Sequence, residues 1–233
     1  MLVTGFPAAA FGTNCYVVAP APGERCVVVD PGIDVMARLD DVLDEHRLSP
    51  VAVLLTHGHI DHTFSVTPVC GARGIPAWIH PDDQELLADP AKGFGVGTEA
   101  LFGGRLRWSK PDDVRAMSDG EVLTLAGLEV TVDHAPGHTP GSVMFRLPAS
   151  PAVEDASQVC LSGDVLFAGS IGRTDLPGGD HPTMLRSLAT KVLPLPDDVL
   201  VLPGHGPQTT IGRERLTNPF LRGLPAVSPA RGL

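Results

Sequence analysis

Three segments of this chain concentrate side chains that could hold metal ions. Thr56-His57-Gly58-His59-Ile60-Asp61-His62 places three imidazoles and a carboxylate within six residues. His138 follows in Pro136-Gly137-His138, and His205 in Pro203-Gly204-His205-Gly206. Each segment comes just after an apolar run, on a loop that a strand end would hold in place while leaving it accessible. Imidazole with carboxylate suits zinc, iron or manganese, and the lack of a neighbouring cysteine argues against a thiolate structural zinc site. In an extended loop alternate side chains point the same way, so His57 and His59 can grip one ion. Asp61 and His62 diverge as a helix begins and can serve a second ion nearby. Asp164, in Leu161-Ser162-Gly163-Asp164, reads by itself as a turn residue at a strand end.

The elements that must position these residues are visible as apolar patterning. Residues 15–18 and 26–29 read as strands joined by the turn Pro20-Ala21-Pro22-Gly23. Asp34 is expected to cap a helix whose apolar stripe is Val35, Leu39, Val42 and Leu43. Residues 51–55 form a wholly apolar run, the mark of a strand buried on both faces. A helix is expected over 62–73, a strand over 77–79 and a short helix over 82–88. A Gly-rich stretch, 89–113, shows little periodicity and reads as a binding loop or a poorly ordered one. Residues 121–125 and 128–132 alternate around Ala126-Gly127, a hairpin signal. Further strands are expected over 142–147, 159–162 and 199–202, with an amphipathic helix over 183–192 and a helix start at His181. Paired strands interrupted by helices favour two helix-covered sheets over one parallel sheet.

At 233 residues the chain is expected to form one domain with a substantial core. Its net charge of −10 argues against a nucleic-acid partner, because phosphate binding needs a basic surface. No stretch resembles a membrane span, and the start lacks a signal peptide's pattern, so the expected compartment is the cytoplasm. Cys15, Cys26, Cys70 and Cys160 make no CxxC pair and are expected to be buried, reduced thiols. His46, His80 and His134 read as structural or surface residues, and Trp78 and Trp108 as packing residues.

In sequence order, Asp30-Pro31-Gly32, the His57–His62 cluster, His138, Asp164 and His205 resemble the motif series of the metallo-β-lactamase superfamily. The resemblance spans Asn14 to His205 and implies a four-layer αββα sandwich with metals at one edge of the sheets. It implies that His57, His59 and His138 hold one metal, that Asp61, His62 and His205 hold another, and that Asp164 bridges them. Asp30 would brace the metal loop from behind, as outer carboxylates do. Asp61 and Asp164 are then the expected catalytic carboxylates, and the implied cofactor is a pair of divalent ions, zinc foremost.

Within the superfamily the chain is similar to short glyoxalase II-type proteins (hydroxyacylglutathione hydrolases). The carriers are Gly163-Asp164-Val165-Leu166-Phe167 and Gly169-Ser170-Ile171-Gly172-Arg173-Thr174-Asp175, supported by Arg215-Leu216-Thr217-Asn218-Pro219. In that family a lysine contacting the thiol part of the substrate stands at the place of Arg173, and a tyrosine at that of Asp175. Arg173 is therefore the expected substrate contact. Only residues 206–233 follow the last ligand, too few for the C-terminal helical domain with which fuller glyoxalase II grips glutathione.

The implied reaction uses a metal-activated hydroxide, available because a bound metal lowers the pKa of water from about 15.7 to about 7. A small-molecule thioester suits that nucleophile, since its leaving thiol has a pKa near ~8.5 and needs no strong general acid. Persulfide dioxygenases of the same superfamily share the ligand series and a Gly-Arg-Thr-Asp stretch. In that alternative one iron would take two histidines and a carboxylate, a set that His57, His138 and Asp164 could supply. Lactones and β-lactams also present a carbonyl to the same site. The sequence leaves the oligomeric state open.

Overall fold

The computed structural model describes residues 1–94, 108–149 and 156–225. The first sheet contains β1 (Leu2–Pro7), β2 (Asn14–Ala19), β3 (Arg25–Val29), β4 (Ser49–Leu54), β5 (Ala77–Ile79) and β6 (Val114–Ala116), in that spatial order. β1, β2 and β3 pair antiparallel, whereas β3 to β6 run parallel. The second sheet runs from β7 (Val122–Leu125) through β8 (Leu128–His134), β9 (Val143–Pro148), β10 (Gln158–Gly163) and β11 (Leu200–Pro203) to β12 (Thr209–Thr210). There only β10 and β11 are parallel.

The apolar strands are explained by three cores. Tyr16, Val18, Val27, Val29 and Leu54 point between the sheets to meet Val130, Val132, Phe145 and Leu161. Their neighbours Val17, Val28 and Val53 point the other way, against Leu39, Val42 and Leu43 of α1 (Met36–His46) and Val66, Val69 and Cys70 of α3 (Val66–Arg73). On the far side, Met144, Cys160 and Val201 pack under Met184 of α5 (His181–Ser187) and Ile211 of α6 (Ile211–Thr217). Alternation buried on both faces produces continuous hydrophobic runs. The result is the expected αββα sandwich.

Several local expectations change. Asp34 does not cap α1; it has φ 56°, and Val35 is the capping residue, without a side-chain hydrogen bond. The helix expected over 62–73 is split into α2 (Ile60–Thr63) and α3, because the Ser65 N–H leaves the helical ladder to donate to the Pro31 carbonyl. The expected helix at 82–88 begins as a 3-10 turn, Pro81–Asp83, before α4 (Gln84–Ala88). The helix expected over 183–192 begins at His181, as that residue's reading has it, where Asp180 caps it through the Thr183 N–H, but it widens to a π-turn over Leu188–Val192. The Ala126-Gly127 hairpin stands as expected, with both residues at positive φ. Much of the irregular stretch, residues 95–107, lies outside the described residues.

Cys15, Cys26, Cys70 and Cys160 are free and buried, as expected. Trp108 packs as expected, its indole N–H donating to the Leu87 carbonyl. Among the described residues no helix is long and apolar enough to cross a membrane.

Candidate metal centre

The site assembles where strands of both sheets end. Asp30 follows β3, His57 and His59 follow β4, and Asp61 and His62 ride on α2. From the second sheet, His138 lies on the β8–β9 loop, Asp164 directly after β10 and His205 after β11. Backbone bonds lock the two groups together: Asn14 N donates to the Gly204 carbonyl, and Val143 N to that of Thr56.

All seven expected ligands come together. His138 Nε2 lies 3.2 Å from His57 Nε2 and 2.8 Å from His59 Nδ1. His205 Nε2 lies 3.2 Å from Asp61 Oδ2 and 3.3 Å from His62 Nε2. The Asp164 carboxylate stands between these sets, with Oδ1 3.3 Å from His62 Nε2 and Oδ2 3.6 Å from both His138 Nε2 and His205 Nε2. His57/His59/His138 and Asp61/His62/His205 each qualify geometrically as a ligand group, as does His57/His62/Asp164.

The hydrogen-bond partners fit a cation. His138 Nδ1 lies 2.7 Å from the Arg173 carbonyl, which can only accept, so the ring's free lone pair is on Nε2. His57 Nδ1 lies 3.1 Å from Thr56 Oγ1, whose own proton goes to Asp30, and this again leaves Nε2 unprotonated. His62 Nδ1 donates to Asp30 Oδ2 at 3.0 Å, so Nε2 is the nitrogen that gives up its proton to a cation. These tautomers are assigned from the network. The result is lone pairs aimed at common points, which repel unless a cation lies between them. Asp164 Oδ1 is buried and has no hydrogen-bond partner among the described residues; its 3.3 Å approach to His62 lacks hydrogen-bond geometry. Such an orphaned acceptor is what a metal ligand leaves when its ion is removed.

The electrostatics separate the two sets. Burial, then the neighbouring imidazoles, hold His57 far below its ordinary pKa; burial and His138 take His59 down to about 3. These rings stay neutral and able to ligate. Burial also opposes a charge on His62, but Asp164, Asp61 and Asp30 outweigh it and raise its pKa. Burial disfavours the Asp61 and Asp164 carboxylates too, yet His62 and its neighbours keep both below the usual range.

Asp30 is where expected, behind the loop. It is 2% exposed and accepts from Thr56 N at 2.8 Å, Thr56 Oγ1 at 2.6 Å and His62. Arg173 borders the cleft, but its guanidinium turns to Asp175 through two bonds of 2.7 and 2.8 Å. The cleft over the site measures about 390 Å³ and has Phe11, Phe94, Phe167 and Ile171 as its apolar walls. Sequence reasoning missed Thr13, whose hydroxyl donates to Asp61 Oδ2 at 3.0 Å, and Asp83, which holds two site loops. A lone threonine or aspartate outside any motif gives no signal. His80 and His134 stack with centroids 3.9 Å apart and planes 11° from parallel. With Asp82 they form a further geometrically possible ligand group, although the rings stack rather than converge.

Residues 8–205 match the Lactamase_B family, described as the metallo-beta-lactamase superfamily, and the chain belongs to it. Fold, site and family together define a metal-dependent hydrolase of that superfamily. Among its relatives, hydroxyacylglutathione hydrolase GloC of Haemophilus influenzae is 36% identical, over 92% of this chain and 95% of that one. The solved structure of BLEG-1 B3 metallo-beta-lactamase is 40% identical, with a TM-score of 0.82, covering 95% of this chain and 100% of its own. That of TTHA1623 in a di-iron-bound form is 37% identical, with a TM-score of 0.74 and coverage of 94% and 100%.

Proposed function

We propose that this chain is a glyoxalase II-like thioesterase cleaving S-(2-hydroxyacyl) thioesters of glutathione or another small thiol, with zinc ions held by His57/His59/His138/Asp164 and Asp61/His62/His205/Asp164. The observation that carries this reading is the convergence of both ligand sets, with Asp164 between them, on the floor of one cleft. Divalent ions bound there supply Lewis acidity and hydroxide at neutral pH. The di-iron form of TTHA1623 supports a paired site and makes iron the competing occupant.

The chain's own groups account for the rest. Asp61, held by Thr13 and His205, and Asp164 present fixed carboxylate oxygens that accept from and orient the attacking water. Phe11, Phe94 and Phe167 shield the reacting carbonyl from bulk solvent. Arg173 exchanges Asp175 for an anionic group of the substrate, a task suited to a guanidinium. A thiolate leaving group needs no strong general acid. No cysteine lines the cleft among the described residues, and burial pushes the Cys26, Cys70 and Cys160 thiols up to about 12. Water is therefore the better nucleophile. A cleft of this size on a chain of net charge −10 favours a small substrate over nucleic acid. The likeness to GloC supports the acyl and thiol assigned, whereas the likeness to BLEG-1 favours a second reading, β-lactam hydrolysis on the same floor.

The test is a panel on one metal-loaded sample: S-lactoylglutathione and other thioesters, a lactone, a β-lactam, and glutathione persulfide in an oxygen electrode. Acid release from the 2-hydroxyacyl thioester is expected. Oxygen uptake with persulfide and no thioester cleavage would make the chain a dioxygenase, and turnover of the β-lactam alone would replace the thioesterase reading.

A further inference from the structure

We infer that Asp83 is a positioning residue that ties the loop bearing His57 and His59 to the loop bearing His138, and so sets the geometry of one metal position and not the other. The inference rests on the metal-centre reading above. Asp83 closes the 3-10 turn after β5, lies outside every sequence motif and is fully buried. Its Oδ2 accepts from Gly58 N at 2.8 Å and from Thr139 Oγ1 at 2.6 Å, and its Oδ1 from Gly141 N at 2.7 Å. Gly58 separates His57 from His59, while Thr139 and Gly141 follow His138. One carboxylate thus spans the two segments whose imidazoles stand 2.8 and 3.2 Å apart.

Three further observations support a dedicated clamp. Burial raises the Asp83 pKa, opposed by its bonds from Thr139, Gly58 and Gly141, so its carboxylate depends on those three donors. Glycine is required where the clamp closes: a Cβ on Gly141 would lie 2.6 Å from Asp83 Cγ, and one on Gly58 2.9 Å from the Asp83 carbonyl and 2.6 Å from Leu86 Cβ. A second joint holds the Asp83 turn to the His138 loop, since His80, which caps that turn, stacks on His134, whose Nε2 lies 2.8 Å from the Pro140 carbonyl. The Asp61/His62/His205 set is braced from elsewhere, by Thr13 and Asp30.

The prediction is therefore selective. In Asp83→Asn an amide N–H₂ must face a backbone or hydroxyl donor, which loosens the clamp while keeping the shape. Zinc affinity is read by competition with a chromophoric chelator, alongside the thermal midpoint of the metal-free protein. One of two zinc equivalents should bind about 10-fold more weakly in Asp83→Asn, the low end of the cost of losing a group bonded to a ligand itself, while the other stays within about 3-fold. Thr139→Val, which removes one bond of three, should show a smaller loss at the same equivalent and covers the case in which Asp83→Asn folds poorly. Unchanged affinity for both equivalents, or an equal fall in both tracking the loss of thermal stability, would overturn the positioning role. Wild-type protein that takes up no zinc would instead overturn the metal centre itself.

Discussion

Replacing Asp30 with Asn tests how far the outer hydrogen bonds hold the centre together. Asp30 sits at φ 49°, a left-handed conformation that Asn tolerates and Ala does not favour, so Asn separates the electrostatic change from backbone strain. Asp30 Oδ2 serves both Thr56 Oγ1 and His62 Nδ1, while Oδ1 serves only Thr56 N. The least costly amide orientation therefore keeps its oxygen on the first pair and strands the Thr56 N–H. A stranded buried donor costs about 1–3 kcal/mol, and the two remaining bonds lose their charge-assisted strength, for a total near ~2–4 kcal/mol. For a chain of this length that lowers the midpoint of metal-free protein by about 5–12 °C. Zinc affinity should fall about 10–100-fold, because His62 Nδ1 then faces a neutral amide oxygen in place of a carboxylate. Scanning calorimetry reads the first effect and chelator competition the second. A midpoint within about 1 °C of wild type together with unchanged zinc affinity would refute the reasoning.

Arg173→Ala should chiefly raise KM and leave stability unchanged, because its exposed pairing with Asp175 contributes little to the fold; an unchanged KM for every active thioester removes Arg173 from the site. Phe145→Ala opens a cavity in the fully buried inter-sheet core and should cost about 3–5 kcal/mol in urea denaturation; zinc stoichiometry should not change. Zinc binding should release protons and strengthen as pH rises through neutrality. In the metal-free site burial disfavours protonated His62 and His205, but Asp164 and Asp61 outweigh it and raise both pKa values, so each must lose its proton to ligate. Calorimetry in buffers of different ionisation enthalpy measures that release, and a buffer-independent heat would contradict it.

The strands were legible where burial on both faces leaves only apolar residues, as at Val27–Val29 and Ala52–Leu54, and where a turn needs positive φ, as at Ala126-Gly127. β1 escaped notice because it is a half-exposed edge strand without alternation. The break between α2 and α3 could not be read locally, since the acceptor that draws the Ser65 N–H away is Pro31 on another segment. The ligands were legible because rare residue types cluster in sequence. Asp83 was not: its donors lie 25, 56 and 58 residues away, and only the assembled loops give it a purpose.

Anomalous diffraction from a zinc-loaded crystal tests the central claim most directly. Two peaks about 3.5–4 Å apart are expected, one among His57, His59 and His138 and one among Asp61, His62 and His205, with Asp164 reaching both. Density confined to other histidines, or none within ligand distance of Asp164, would contradict the account.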